Sequence, residues 1–230
     1  MGIRVPRTGQ RCYWDSGGRG FAISCRELWR LTKSRLWESG MSATFLVTGF
    51  EPFGEHRTNS SWDALQLASP AWPQAVAIRR LPVDYRAAHL ELRRAIEELQ
   101  PRAVLCTGLA RGDGFRIERR ARRPAALADV PGVAESWGRW PWDELRRALA
   151  DAGVRSVDSE DAGQYVCEST YWSLLNCAGA GTTPEFAAFL HVPPESERYP
   201  LDLIARSVGL VITRALASFN PEGELSEEIR

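Results

Sequence analysis

The sequence predicts an α/β fold, a three-layer α/β/α sandwich built on a central, largely parallel twisted sheet. Three observations lead there. Short apolar runs without polar alternation, such as Phe45-Leu46-Val47 and Ala103-Val104-Leu105-Cys106, read as strands buried on both faces. Between them lie segments whose apolar residues recur at spacings of three and four, the mark of amphipathic helices. The two kinds of segment alternate along the chain, as they do when parallel strands are joined by crossover helices.

Taken in order, Thr44 to Phe50 is the first expected strand, followed by a turn-rich stretch and a short helix near Ser61 to Ala68. Val76 to Leu81 is a second strand. Over residues 84–100, Tyr85, Ala88, Leu92, Ala95, Ile96 and Leu99 form one apolar helical face, and Pro101 stops the helix. Ala103 to Gly108 gives a third strand, and Phe115 to Ala121 a strand with alternating faces. A helix from Trp142 to Ala152 ends at Gly153, a strand runs from Val154 to about Val157, and a helix from about Val166 to Cys177. Phe186 to Val192 is the last strand. The final helix, about Leu201 to Phe219, aligns Ile204, Val208, Val211, Ile212, Ala215 and Phe219. Ligands of such sheets bind beyond the carboxyl ends of the strands. Cys167 and His191 both follow strands, so they are expected to meet the segments after Gly49 and Gly108 in one cleft.

With 230 residues, 44% hydrophobic and 25% charged, the chain can bury a sizeable core. Residues 1–40 stand apart, with one alanine and eight basic residues against three acidic ones. They are expected to be a poorly structured N-terminal extension ahead of a true start at Met41; a basic targeting segment and an arm packed on the domain are the competing readings. Residues 41–230 then form a single α/β domain. No run approaches eighteen apolar residues and no secretory signal pattern is present, so the expected location is the cytoplasm, with no membrane partner. The five cysteines, Cys12, Cys25, Cys106, Cys167 and Cys177, are odd in number and lack CxxC pairing, which argues against disulfides and structural zinc. Net charge is zero. The arginines at 116, 119, 120, 122 and 123 lack the interleaved aromatics of a nucleic-acid surface and read as an ion-paired face.

The strongest chemical signal is Asp161-Ala162-Gly163-Gln164-Tyr165-Val166-Cys167-Glu168, where a glycine-bearing turn enters a helix. A helix N-terminus presents unpaired N–H groups and partial positive charge, which is expected to favour the thiolate of Cys167. His191, at the end of an apolar strand and before Pro193, is the candidate partner, with a core histidine the equally weighted alternative. His89, on a helix, reads as structural, and His56 lies in a turn. A carboxylate orienting the imidazole could come from Glu118, Asp161 or Glu168; Asp161 also suits turn amides and Glu168 the first helical turn. Cys106 and Cys177 read as packed thiols.

At this point the residues resemble a known family. Leu46-Val47-Thr48-Gly49-Phe50-Glu51-Pro52-Phe53-Gly54 with Asn59-Ser60-Ser61-Trp62, the Glu118-Arg119 pair, the Asp161–Cys167 segment and Phe189-Leu190-His191-Val192-Pro193 are similar, in order and spacing, to the pyroglutamyl peptidases. The resemblance covers residues 44 to about 215. It implies a cysteine peptidase of α/β/α fold that cuts after an N-terminal pyroglutamyl residue through a thioester. Cys167 would be its nucleophile, His191 its general acid/base and Glu118 its orienting carboxylate. It further implies that Phe50, Phe53 and Tyr165 frame the lactam ring with Asn59 near its polar edge, that no metal or cofactor takes part, and that a cytoplasmic homotetramer is a possible assembly. Four departures from the family pattern stand out: Leu109 where glutamine is usual, Arg120, Arg122, Arg123 and Pro124 where apolar residues and asparagine usually follow the Glu-Arg pair, a shortened loop from Pro124 to Trp142, and Asp129 where arginine is common. They motivate the alternative of a member that binds N-terminal lactams or a partner without efficient turnover.

Overall fold

The computed structural model describes residues 45–219 except 56, 74, 111 and 178–183; the expectations for residues 1–40 and for His56 lie outside them. Strand β1 (Phe45–Phe50) is buried along its whole length. Alternate residues feed two separate cores, Phe45 and Val47 on one face of the sheet, Leu46 and Phe50 on the other. The same parity holds in β3 (Ala103–Leu109) and β8 (Phe186–Val192), which is why the first four residues of β3 and the first five of β8 are apolar without alternation. Helices α1 (Ser60–Ala68), α3 (Trp142–Asp151) and α5 (Leu201–Ser218) cover the first face. Helices α2 (Tyr85–Leu99) and α4 (Val166–Leu175) cover the second. The three-layer sandwich is thus as expected from sequence.

The sheet order is β2-β1-β3-β8-β4-β7, with β2 at Val76–Leu81, β4 at Phe115–Glu118 and β7 at Ser156–Ser159. Four of its five pairings are parallel, but β4 meets β8 antiparallel, so β4 and β7 run against the other four strands. The strand expected over Phe115 to Ala121 is broken at Arg119. Its N–H donates to Ser159 O on one side and its carbonyl accepts from Gly138 on the other. Beyond that switch, β5 (Arg120–Arg122) leaves the main sheet and pairs with β6 (Glu135–Trp137), a strand the sequence pattern did not suggest. The strand expected from Val154 starts two residues later, because Val154 packs in the α3/α5 core and bonds back to Leu149 instead.

Local chemistry sets the helix ends. Asn59 caps α1 by accepting from Ser61 N–H, and Asp84 caps α2 by accepting from Arg86 and Ala87 N–H. Gln100 closes α2 in the left-handed conformation at φ 47° just before Pro101. Tyr165 precedes α4 and offers no side-chain cap, so the first amides of α4 keep no side-chain partner from it.

Candidate active site

His191 is the penultimate residue of β8, opposite Gly108 of β3 on one side and Arg116 of β4 on the other. It shares the parity of Ala187 and Phe189, so its side chain projects to the α2/α4 face. Glu118 shares that face and is completely buried. His191 Nδ1 donates to Glu118 Oε1 at 2.8 Å. A carboxylate oxygen accepts, so this bond places a proton on Nδ1. Of the three carboxylates considered from sequence, Glu118 is the one that reaches the imidazole. Asp161 instead accepts from Gly163 N–H within its own turn. Glu168 is buried and accepts from Arg122 N–H, with burial raising its carboxyl above the usual range.

Cys167 is the second residue of α4 and lies half-buried beside His191 in the wall of one cavity. Its approach to the sheet depends on Gly108. A Cβ there would stand 2.9 Å from the Cys167 sulfur and 2.8 Å from the Phe189 ring. The expected edge is correct, but the expected reason is not. Because β7 runs against β3 and β8, it is the start of α4, lying over the carboxyl end of β3, that places the thiol. The expected depression of its pKa is also overturned. Desolvation first, and the negative charge of Glu118 second, push the Cys167 thiol up to about 12. The partial charge of one helix start is outweighed by burial beside a carboxylate.

The cavity, about 200 Å³, is lined by Phe50, Phe53, Asn59, Val83, Leu109, Ala110, Arg116, the 162–167 segment apart from Gln164, and His191. That is smaller than the roughly 300–1,000 Å³ of drug-sized sites, so it suits a small, largely apolar group. All four anticipated chain segments meet there, including Phe50, Phe53, Asn59 and Tyr165. Asn59 has further duties: its Oδ1 accepts from Ser61 N–H and Oγ–H, and its Nδ2 donates to Glu51 O. It therefore ties the turn carrying Phe53 to the start of α1. Tyr165 is 51% exposed at the cavity mouth and meets Tyr85 edge-on at 5.5 Å, while Tyr85 Oη–H donates to Gln164 O. Gly163, at φ +92°, takes the backbone through a conformation that side chains disfavour.

The remaining residues fall out simply. Leu109 lines the cavity, whereas Asp129 pairs with Arg86 at the surface. Arg119 lies 4.2 Å over Trp142 and pairs with Asp158, and Arg120 pairs with Glu135, which is the ion-paired face expected of that run. Arg116 breaks the pattern by lining the cavity, although its parity with Glu118 was readable. His89 is buried against Ser173 Oγ at 2.9 Å, a structural role. Cys106 is fully buried, and burial pushes its thiol up to about 12. Among the described residues no group of three His, Cys, Asp or Glu side chains could hold a metal, and no helix is long and apolar enough to cross a membrane.

Comparison with known proteins bears on the whole assembly. A family model described as pyroglutamyl peptidase matches residues 43–208. A pyrrolidone-carboxylate peptidase of Gloeobacter violaceus is 34% identical over 175 residues, covering 67% of this chain and 85% of its own. One from Pseudomonas fluorescens is 33% identical over 193 residues, covering 72% and 88%. Among solved structures, the pyrrolidone carboxyl peptidase of Thermococcus litoralis aligns at TM-score 0.69 and 22% identity over 82% of this chain and 99% of that one. Pyroglutamyl peptidase I of Bacillus amyloliquefaciens aligns at 0.64 and 24% over 76% and 97%. The structural likeness establishes the shared fold and the sequence matches establish descent: the chain belongs to the pyroglutamyl peptidase family of cysteine peptidases.

Proposed function

We propose that this protein hydrolyses the peptide bond following an N-terminal pyroglutamyl residue, with Cys167 as nucleophile, His191 as general acid/base and Glu118 as the carboxylate that orients and charges the imidazole. The single observation that carries this reading is the buried 2.8 Å bond from His191 Nδ1 to Glu118, set beside Cys167 in the wall of a small, mostly apolar cavity. A flat lactam with one amide edge suits walls made by Phe50 and Phe53, with Tyr165 at the mouth.

Because burial keeps Cys167 a thiol at neutral pH, attack is coupled to proton transfer. His191 Nε2 takes the thiol proton as sulfur bonds to the carbonyl carbon, and Glu118 stabilises the imidazolium as it forms. The oxyanion is met by amides of the first turn of α4, that of Cys167 included. His191 then gives the proton to the departing amine. It next draws a proton from the water that attacks the thioester, returning the thiol and releasing pyroglutamate.

A pyroglutamyl amide with a fluorogenic leaving group tests this directly. Purified protein is expected to release the dye, and Cys167→Ala or prior alkylation to abolish release. Folded protein that binds pyroglutamate in calorimetry but releases no dye would overturn the catalytic reading in favour of a lactam-binding one.

A further inference from the structure

Arg116 is the one member of the 116–123 arginine run that lines the cavity. It faces His191 across the β4–β8 pairing and lies two residues before Glu118, on the same side of the sheet. Its Nε is 3.5 Å from Glu118 Oε1, the oxygen that accepts from His191. The other carboxylate oxygen, Oε2, is buried without a hydrogen-bond partner among the described residues. From its far end the same guanidinium donates to Ser159 Oγ at 3.0 Å and to the carbonyl of Asp161 at 2.8 Å. Asp161 opens the turn that contributes Ala162, Gly163 and Tyr165 to the cavity and delivers Cys167. One cation therefore touches both the group that orients the base and the segment that carries the nucleophile.

We propose that Arg116 is a positioning residue of this site: it holds the Asp161–Tyr165 turn against the Glu118–His191 pair and offsets the Glu118 charge at Cys167. The proposal rests on the catalytic reading above. A guanidinium suits both tasks, since its planar donors can span two acceptors while its charge does not titrate. The ionisable groups around Cys167 are Glu118 and Arg116 from β4, Cys106 from β3, His191 from β8 and Glu168 from α4 itself; Gly108, opposite His191 on β3, is uncharged.

The test compares Arg116→Met and Arg116→Lys with the parent in two assays. The first is the pH dependence of alkylation at Cys167, read by peptide mass spectrometry so that other thiols do not interfere. The second is dye release. In Arg116→Met the unbalanced Glu118 charge is expected to move Cys167 alkylation to higher pH, slowing it severalfold at neutral pH. Loss of the tether is expected to lower kcat by about tenfold or more with KM changed far less, as for a slightly misplaced reacting group. Arg116→Lys keeps charge but not the planar bridge. It is expected to restore the alkylation profile while leaving kcat depressed. Unchanged alkylation and kcat in Arg116→Met would overturn the proposal, as would complete rescue of both by lysine for the tether. If the parent releases no dye but Arg116→Met still shifts alkylation, the catalytic reading fails while the charge-offsetting role stands. If Arg116→Met does not fold, Arg116→Lys decides alone: kcat equal to the parent's overturns the proposal.

Discussion

Glu118 acts on its two neighbours in different ways. It orients the ring of His191 through their 2.8 Å bond but disfavours a thiolate at Cys167, where its charge is the second-largest cause of the raised pKa after burial. Glu118→Gln keeps the side-chain shape and removes the charge. Turnover is therefore expected to fall by about 10²–10⁴, the range for losing a carboxylate behind a catalytic histidine. Alkylation of Cys167 at fixed pH is expected to speed up. Dye release and thiol labelling measured on the same preparation check the pair, and a variant in which both rates fall together would contradict the assignment. Gly108→Ala probes the placement of sulfur alone. The added Cβ, 2.9 Å from the thiol and 2.8 Å from the Phe189 ring, must displace one of them. If Cys167 is the nucleophile as proposed, displacing its sulfur by about an ångström is expected to cost roughly 10²-fold in kcat. A Gly108→Ala enzyme with parental kcat would mean that Phe189 yields instead.

At the scale of elements, the cap of α1 doubles as the brace of the cavity wall. Asn59 spends its oxygen on Ser61 and its amide on Glu51 O, so helix start and Phe53 turn share one side chain. Asn59→Ala is expected to cost about 1 kcal/mol as a lost cap and to raise KM as the turn loosens. Asn59→Ser retains a capping oxygen and should recover most of the stability but not the KM. Urea unfolding beside steady-state kinetics separates the two, and equal recovery of both parameters would show the brace to be irrelevant. Elements also mark the limit of what the chain discloses by itself. The parity of β1, β3 and β8, visible as unbroken apolar runs, was enough to expect a doubly covered sheet and a cleft at the strand ends. Parity also put Arg116, Glu118 and His191 on calculable faces. What no periodicity could reveal was that β4 enters the sheet antiparallel beside β8, the pairing that brings Glu118 to His191; the family resemblance supplied that partner. The break at Arg119 was hidden for the same reason, since it is decided by Ser159 and Gly138, partners distant in sequence. The sign of the Cys167 shift was misjudged because helix starts are local and readable, whereas desolvation belongs to the assembled core.

Across the whole molecule the charge balance makes one titration unusually clean. Lys33 is the only lysine among 29 basic residues, so nearly all positive charge is arginine and persists through alkaline pH. The surface ion pairs, such as Arg146–Asp158 and Arg102–Glu185, are therefore not dismantled between pH 8 and 11. The groups that do titrate there are thiols and phenols. Cys106 and Cys167 are both raised from 9.0 to about 12 by burial, and Tyr171, wholly buried, is raised further. For a group whose native pKa lies above its unfolded value, the stabilisation is complete below the unfolded pKa. It is lost as pH rises, because the unfolded chain sheds its proton first. Stability is thus expected to fall between pH 9 and 12, with each buried thiol contributing a slope of up to about 1.4 kcal/mol per pH unit. Cys106→Ser replaces the thiol by a hydroxyl that does not titrate in this window, and Cys106 lies outside the cavity lining, so it isolates one proton. Its absolute stability can differ from that of the parent, but its pH slope is expected to be shallower by close to one proton. Urea midpoints collected from pH 8 to 11 for both proteins provide the comparison. Parallel curves would mean that Cys106 ionises in the native state, and hence that water reaches the strand core beneath Cys167.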